Sequence, residues 1–214
     1  MTHQDHFDFI REPDLRRPLK PERVFFSLFA GEAGGPIVAC RERLMREQRI
    51  FGSRIVEERL HLSLSFLGDF KRIPSKVPYG AGLAADRVAM PPFEVVLDHA
   101  VTFEGGRPGR YATVLLAKSD ALHDLGGSLC RELGLQRMKA GALTVPHVTL
   151  FYSPRRIRPT RIKPIRLWID RFYLIHSERG LSRYTMLGCW FLGGTPIAPV
   201  HAVTPPLAFG SMAA

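Results

Sequence analysis

The chain has 214 residues, 45% of them hydrophobic and 23% charged, proportions that exclude wholesale disorder, coiled coil and collagen-like structure. The 30 Lys+Arg against 20 Asp+Glu give a net charge of +10, which favours anionic partners such as nucleic acid, phosphates or an acidic membrane surface. Cys40, Cys130 and Cys189 are far apart, without a Cys-x-x-Cys pair, which argues against a disulfide framework or zinc knuckle and fits a reducing compartment.

Residues 1–22 are polar and hold Pro13, Pro18 and Pro21, so they read as a tail or loosely attached arm rather than a signal peptide. Arg23–Phe29 is the first strand. Gly34-Gly35-Pro36 breaks the chain and opens a helix over 37–49, where Ile37, Cys40, Leu44 and Met45 recur at helical spacing. Residues 58–67 alternate as a strand. Residues 71–82, with Pro74, Pro78, Gly80 and Gly82, read as a loop leading into a short helix that ends near Val88. Phe93–Leu97 is a strand, 105–109 a turn, and Arg110–Leu116 a strand. Ser119 caps a helix over 121–133 that Gly134 ends. Leu143–Tyr152 is a strand. A basic stretch follows, then strands at 167–177 and 183–192. Residues 193–214 read as a Pro-rich tail, which leaves 23–192 as one folded unit. No apolar run approaches the roughly 18–20 residues of a membrane span, so the expected location is the cytoplasm.

The order strand, helix, strand occurs twice, over 23–67 and over 110–152. The closing strand of each copy carries a similar row: His61-Leu-Ser63-Leu-Ser65 and His147-Val-Thr149-Leu-Phe151. Side chains at i and i+2 share a face of a strand. His61, Ser63 and Ser65 should therefore look one way and Leu62, Leu64 and Phe66 the other; His147, Thr149 and Phe151 should likewise share a face, with Tyr152 opposite. A lone histidine in a strand is usually structural; two in matched strands suggest a site. Imidazoles titrate near neutral pH, so one can act as base while the other acts as acid. The hydroxyls of Ser63 and Thr149 can hold phosphate oxygens. A phosphate clamped between the rows suits in-line displacement, and a 2′,3′-cyclic phosphate is an apt substrate. That chemistry needs no metal and no cofactor. Two histidines could also ligate a metal, but neither row contains Asp or Glu.

These two motifs, with the opening Phe25-Phe26-Ser-Leu-Phe29, the Phe66-Leu67-Gly68 that follows the first histidine, and a closing strand pair, resemble the two-histidine (2H) phosphoesterases. The likeness is to the bacterial branch called 2′-5′ RNA ligase or RNA 2′,3′-cyclic phosphodiesterase. The resemblance implies an α+β fold of two lobes: a pseudo-two-fold pair of antiparallel sheets with flanking helices and a central cleft. It implies a metal-independent enzyme that opens cyclic phosphates at RNA or nucleotide ends to a 2′-phosphate, and in some members joins RNA ends 2′-5′. By position, His147 would activate water, His61 would protonate the leaving oxygen, and Ser63 and Thr149 would bind the phosphate. Tyr152 stands where many members have an arginine, a role that Arg155 or Arg156 would then take.

Candidate substrate contacts are therefore Phe26, Phe151, Tyr152, Arg155 and Arg156, with Phe151 preferred for stacking because it shares the parity of His147. The basic stretch 154–171 reads either as a rim for an RNA backbone or as a solvated strand face. His99, His123, His176 and His201 have no matching partner and read as structural. The expected partners are RNA ends or cyclic nucleotides, with no membrane and no obligate protein, and a monomer would suffice. The alternative from another class is an RNA- or nucleotide-binding module of the same fold that does not turn over.

Overall fold

The structure, a computed structural model, describes residues 18–104, 109–141, 145–181 and 183–193. Most of the expected N-terminal arm, nearly all of the C-terminal tail, His201 and most of the 105–109 turn lie outside the described residues. The elements, in chain order, are β1 (Glu22–Phe29), α1 (Gly34–Glu47), β2 (Ser53–Arg54), β3 (His61–Phe70), α2 (Lys76–Ala85), β4 (Phe93–Thr102), β5 (Tyr111–Lys118), α3 (Asp120–Leu135), β6 (His147–Ser153), β7 (Thr160–Ile169), β8 (Arg171–Glu178) and β9 (Arg183–Phe191). The fold is α+β. Its strands run β7-β4-β5-β6-β3-β1-β8-β9, every pair antiparallel, and β2 adds to β6.

That order divides into two four-stranded halves. Within each, the strand–helix–strand unit contributes an adjacent pair, β1 with β3 and β5 with β6. The halves meet at one register pair, Leu62 with Val148. Both residues are fully buried, so the face behind them is core and the face in front carries the histidines. The helices cover the rear face crosswise. α1, from the first unit, packs on β6 and β7 of the second half; α3 packs on β3 and on α2. The apolar spacing read from the sequence does this work: Ile37, Cys40, Leu44 and Met45 of α1 and Leu122, Leu125, Leu129 and Leu133 of α3 are all buried.

Both long helices end alike. The amide of Ile50 donates to the Met45 carbonyl and that of Met138 to the Leu133 carbonyl, and in each case an arginine takes the left-handed position (Arg49, φ 51°; Arg137, φ 56°). Gly134, expected to end α3, is inside it; Arg137 makes the turn instead. α2 starts at Lys76, within the stretch read as loop, because Pro78 falls in its first turn, where a missing N–H costs little. The strand expected over 167–177 is two strands, β7 and β8, and β7 begins at Thr160 inside the basic stretch. Its inward Ile162, Leu167 and Ile169 are buried while Arg161, Lys163 and Arg166 are exposed. Three strand spacings, about 14 Å, separate β7 from β6, so those three basic residues do not border the histidines directly.

The β2–β6 pairing depends on a close backbone approach. A Cβ on Gly52 would lie 2.1 Å from the Tyr152 carbonyl oxygen. Gly52→Ala should therefore force the chain apart here and lower stability by about 1–3 kcal/mol, measured by urea unfolding; unchanged stability would mean the two segments do not meet this closely.

Candidate active site

His61 opens β3 and His147 opens β6. Because Leu62 pairs with Val148, the antiparallel register sets His61 across from Thr149 and Ser63 across from His147. The two histidines are then diagonal neighbours on one face, a relation that typically spans about 7–8 Å. Four side chains contributed by two separate repeats thus form one square.

Both imidazoles are held in the same way. Nδ1–H of His61 donates to the Arg59 carbonyl at 2.7 Å, and Nδ1–H of His147 donates to the Val145 carbonyl at 2.7 Å. A carbonyl only accepts, so Nδ1 carries the proton in each ring and Nε2 carries the lone pair. The hydroxyls of Ser63 and Thr149 make no hydrogen bond among the described residues and remain available to a ligand.

The surroundings of the rings differ. Phe25, Phe29 and Tyr184 pack on His61, with ring centroids 5.5, 6.3 and 5.7 Å away, whereas Phe103 packs edge-on to His147 at 4.7 Å. The guanidinium of Arg59 stacks on Tyr184, 4.4 Å from its centroid. No ion pair engages Arg59 among the described residues, and its buried Nε has no hydrogen-bond partner. Burial, and then the charges of Arg59 and His147, push the proton affinity of His61 below the ordinary value; the Arg59 carbonyl opposes them. Arg59 was not legible as a site residue, although its place two residues before His61 is a signal that could have found it.

Past the hydroxyls, both strands carry a bulge at the same place. In β3 the partners of β1 step from Ser63 to Ser65, so Leu64 is the extra residue; in β6 the partners of β5 step from Thr149 to Phe151, so Leu150 is extra. Each bulge inverts the alternation that follows. Ser65 and Phe151 therefore turn into the core, at 1% and 0% exposure, and Phe66 and Tyr152 turn out onto the histidine face. This corrects four expectations at once. Ser65 is not in the polar row, Phe66 is not in the apolar one, Phe151 cannot stack on a base, and Tyr152 does not lie opposite His147. Phe26 is also unavailable to substrate: it is fully buried against Phe172 and Trp190.

Arg155 and Arg156 are exposed just beyond Tyr152; Arg156 pairs with Glu104 at 3.1 Å and lies over the Tyr111 ring, while the Arg155 side chain has no partner among the described residues. His99 and His176 pair with Asp98 and Glu22. A cavity of about 300 Å³ is lined by Gly52, Ser53, Gly109, Arg110, Tyr152, Ser153 and Pro154. A larger one, about 400 Å³, lies between the end of β3 and the helices α2 and α3 and includes none of the four central residues. Among the described residues no group of three or more His, Cys, Asp or Glu is placed to hold a metal ion, and no helix is long and apolar enough to cross a membrane.

No protein-family model and no curated protein matches the chain. Solved structures do. E. coli LigT in its apo form superposes with a TM-score of 0.61 at 25% identity, covering 81% of this chain and 98% of that one. E. coli LigT complexed with 3′-AMP gives 0.60 at 24% identity, covering 82% and 99%. TT0787 of Thermus thermophilus gives 0.65 at 23% identity, covering 80% and 98%.

A histidine whose folded form resists protonation makes the fold less stable as pH falls through its ordinary value, because the unfolded chain takes up the proton more readily. In the free protein the Cε1–H resonance of His61 should titrate with a midpoint below about 6.5. Replacing His61 with Gln should flatten the loss of stability between about pH 7 and 5. A midpoint at or above the ordinary value would contradict the enclosure described for this ring.

Proposed function

We propose that this chain, whose fold is that of the LigT-like 2H phosphoesterases, is a phosphodiesterase that opens 2′,3′-cyclic phosphate at RNA or nucleotide ends to a 2′-phosphate. The observation that carries the reading is the Leu62–Val148 junction, which places two Nδ1-anchored imidazoles and two free hydroxyls around one point. The neighbour complexed with 3′-AMP supports a nucleotide ligand.

The cyclic phosphate sits between the two rows, with Ser63 and Thr149 donating to its non-bridging oxygens. One histidine takes the proton of a water as the water oxygen attacks phosphorus. The bond from phosphorus to O3′ breaks, and O3′ takes a proton from Nε2 of the other histidine. Phosphate is left on O2′. We assign His61 as the base: aromatic enclosure and the Arg59 charge favour its unprotonated form, so the Nε2 lone pair is available. His147 is then the acid. This reverses the roles that family resemblance implies. Arg59, unpaired beside the site, supplies positive charge to the phosphate in place of the arginine that Tyr152 replaces. With a ribose 5′-hydroxyl in place of water as the nucleophile, the same steps join RNA ends 2′-5′, and their reverse cleaves that linkage back to the cyclic phosphate.

The experiment is hydrolysis of an RNA oligonucleotide ending in a 2′,3′-cyclic phosphate, with EDTA present. Turnover to the 2′-phosphate should follow a bell-shaped pH profile, and His61→Ala and His147→Ala should each lower kcat by about 10²–10⁴-fold. In the residual activity the acidic limb should vanish with His61 and the basic limb with His147; the opposite pattern would restore the roles implied by resemblance. Arg59→Met should lower kcat/KM by about 10–100-fold. Failure of the folded wild type to hydrolyse this substrate or a cyclic mononucleotide, while still binding RNA, would establish a binding module instead.

A further inference from the structure

The two halves repeat one more feature. Five residues after each histidine, the bulge turns an aromatic ring onto the cleft face: Phe66 after His61, Tyr152 after His147. An arginine lies over each ring, Arg23 on β1 and Arg110 just before β5. Arg23 is 5.2 Å from the Phe66 centroid and Arg110 is 4.6 Å from that of Tyr152. The register shows that these stacks are equivalent, because Phe25 pairs with Phe66 as Ala112 pairs with Tyr152.

Their charge is not equivalent. Arg23 is held in a two-pronged pair with Asp69, at 2.7 and 2.9 Å, and Asp69 also takes Arg179. Asp69 is the residue opposite Arg23. In the second half the chain at that point runs Ser153-Pro154-Arg155, and no carboxylate engages Arg110 among the described residues. Arg155 adds a second unpaired cation. One corner of the cleft is thus a closed ion-pair cluster and the other an open, doubly positive one. The open corner also contains the cavity of about 300 Å³, at the lower end of the range for ligand pockets.

Tyr152 is three residues beyond Thr149, at most about 10 Å along the strand, roughly one nucleotide from the phosphate that Thr149 would hold. We infer that the Arg110–Tyr152 stack and its cavity form the subsite for the nucleotide preceding the cyclic end of an RNA strand. Its phosphodiester meets Arg110 and Arg155, and its base lies against the stack. The inference rests on the reading given under Proposed function and adds a direction to it: the RNA strand leaves the reacting phosphate over β6, not over β3. It also accounts for the tyrosine, since a ring backed by an arginine that no carboxylate engages among the described residues offers stacking and charge together.

The test compares a cyclic-phosphate-ended RNA tetranucleotide with a 2′,3′-cyclic mononucleotide. Arg110→Ala should raise the KM for the tetranucleotide about tenfold and lower the tetranucleotide-to-mononucleotide ratio of kcat/KM by a similar factor. Arg110→Glu should lower it further. Arg166→Ala, on the outer strand and paired with Glu94, is the control that should keep the ratio. In a separate binding measurement, anisotropy of a labelled tetranucleotide ending in the 2′-phosphate should show a salt slope about 0.7 smaller for Arg110→Ala than for wild type. A ratio and a slope unchanged by both Arg110 substitutions would overturn the subsite. Absent turnover of both substrates by wild type would overturn the proposed reaction, and the binding measurement would then decide the subsite alone.

Discussion

Everything in the cleft depends on one cross-strand pair, Leu62 with Val148. It is the only register pair joining β3 to β6 among the described residues, and both members are buried. A slip of one residue in either strand would turn its histidine and hydroxyl to the rear. The junction is fixed from behind. α1 reaches from the first unit onto β6, and α3 reaches from the second onto β3, so each central strand is covered by the helix of the other repeat. The halves cannot separate without uncovering both cores, which makes the position of the two histidines and two hydroxyls a property of the whole fold.

Much of this was legible in the sequence, for a physical reason. The apolar periods of α1 and α3 and the alternation of β1 and β5 are set by burial on one face, and that period survives in the structure. The pair of His-x-Ser/Thr rows was legible because it lies before the bulges, where β3 and β6 are regular. After Leu64 and Leu150 the same logic gave the wrong face for Ser65, Phe66, Phe151 and Tyr152. A bulge is invisible to a count of two; only the partner strand reveals which residue has no mate. β7 was hidden differently. Its outer face is basic, Pro164 interrupts it, and only three inward apolar residues mark it as a strand on the sheet edge, where proline is tolerated.

The net charge of +10 did not locate a surface, because most of the arginines near the sheet are committed. Arg23 and Arg179 share Asp69, Arg54 pairs with Glu42, Arg166 with Glu94 and Arg171 with Asp170. Exposed pairs of this sort add little stability. Arg59, Arg110 and Arg155 are among the cations with no carboxylate partner in the described residues, and those three lie on or beside the elements that carry the histidines. Where the uncompensated charge sits is more informative about an anionic ligand than how much of it there is.

Pseudo-symmetry gives the site two of everything, yet a displacement at phosphorus needs its two histidines in different states. The fold breaks the equivalence outside the repeat. β8 and β9 return to flank β1, and Tyr184 of β9 closes over His61 together with Phe25 and carries Arg59 against its ring. The corresponding neighbours of β5 are β4 and β7, and β4 leads only into Phe103, against His147. One ring is therefore enclosed and beside a cation, the other bordered by a single aromatic. The second asymmetry runs along the strands: Asp69 closes the corner beyond Ser63, while nothing acidic among the described residues closes the corner beyond Thr149. The two differences are independent. His147 opens β6, whereas the open basic corner lies five residues further along that strand, beyond Thr149 and past the level of His61, so the corner bears on which strand the RNA follows and not on which histidine is the acid. A strand bound the other way would bring its backbone phosphate to an arginine already held by a carboxylate, and would have to displace Asp69 to reach it.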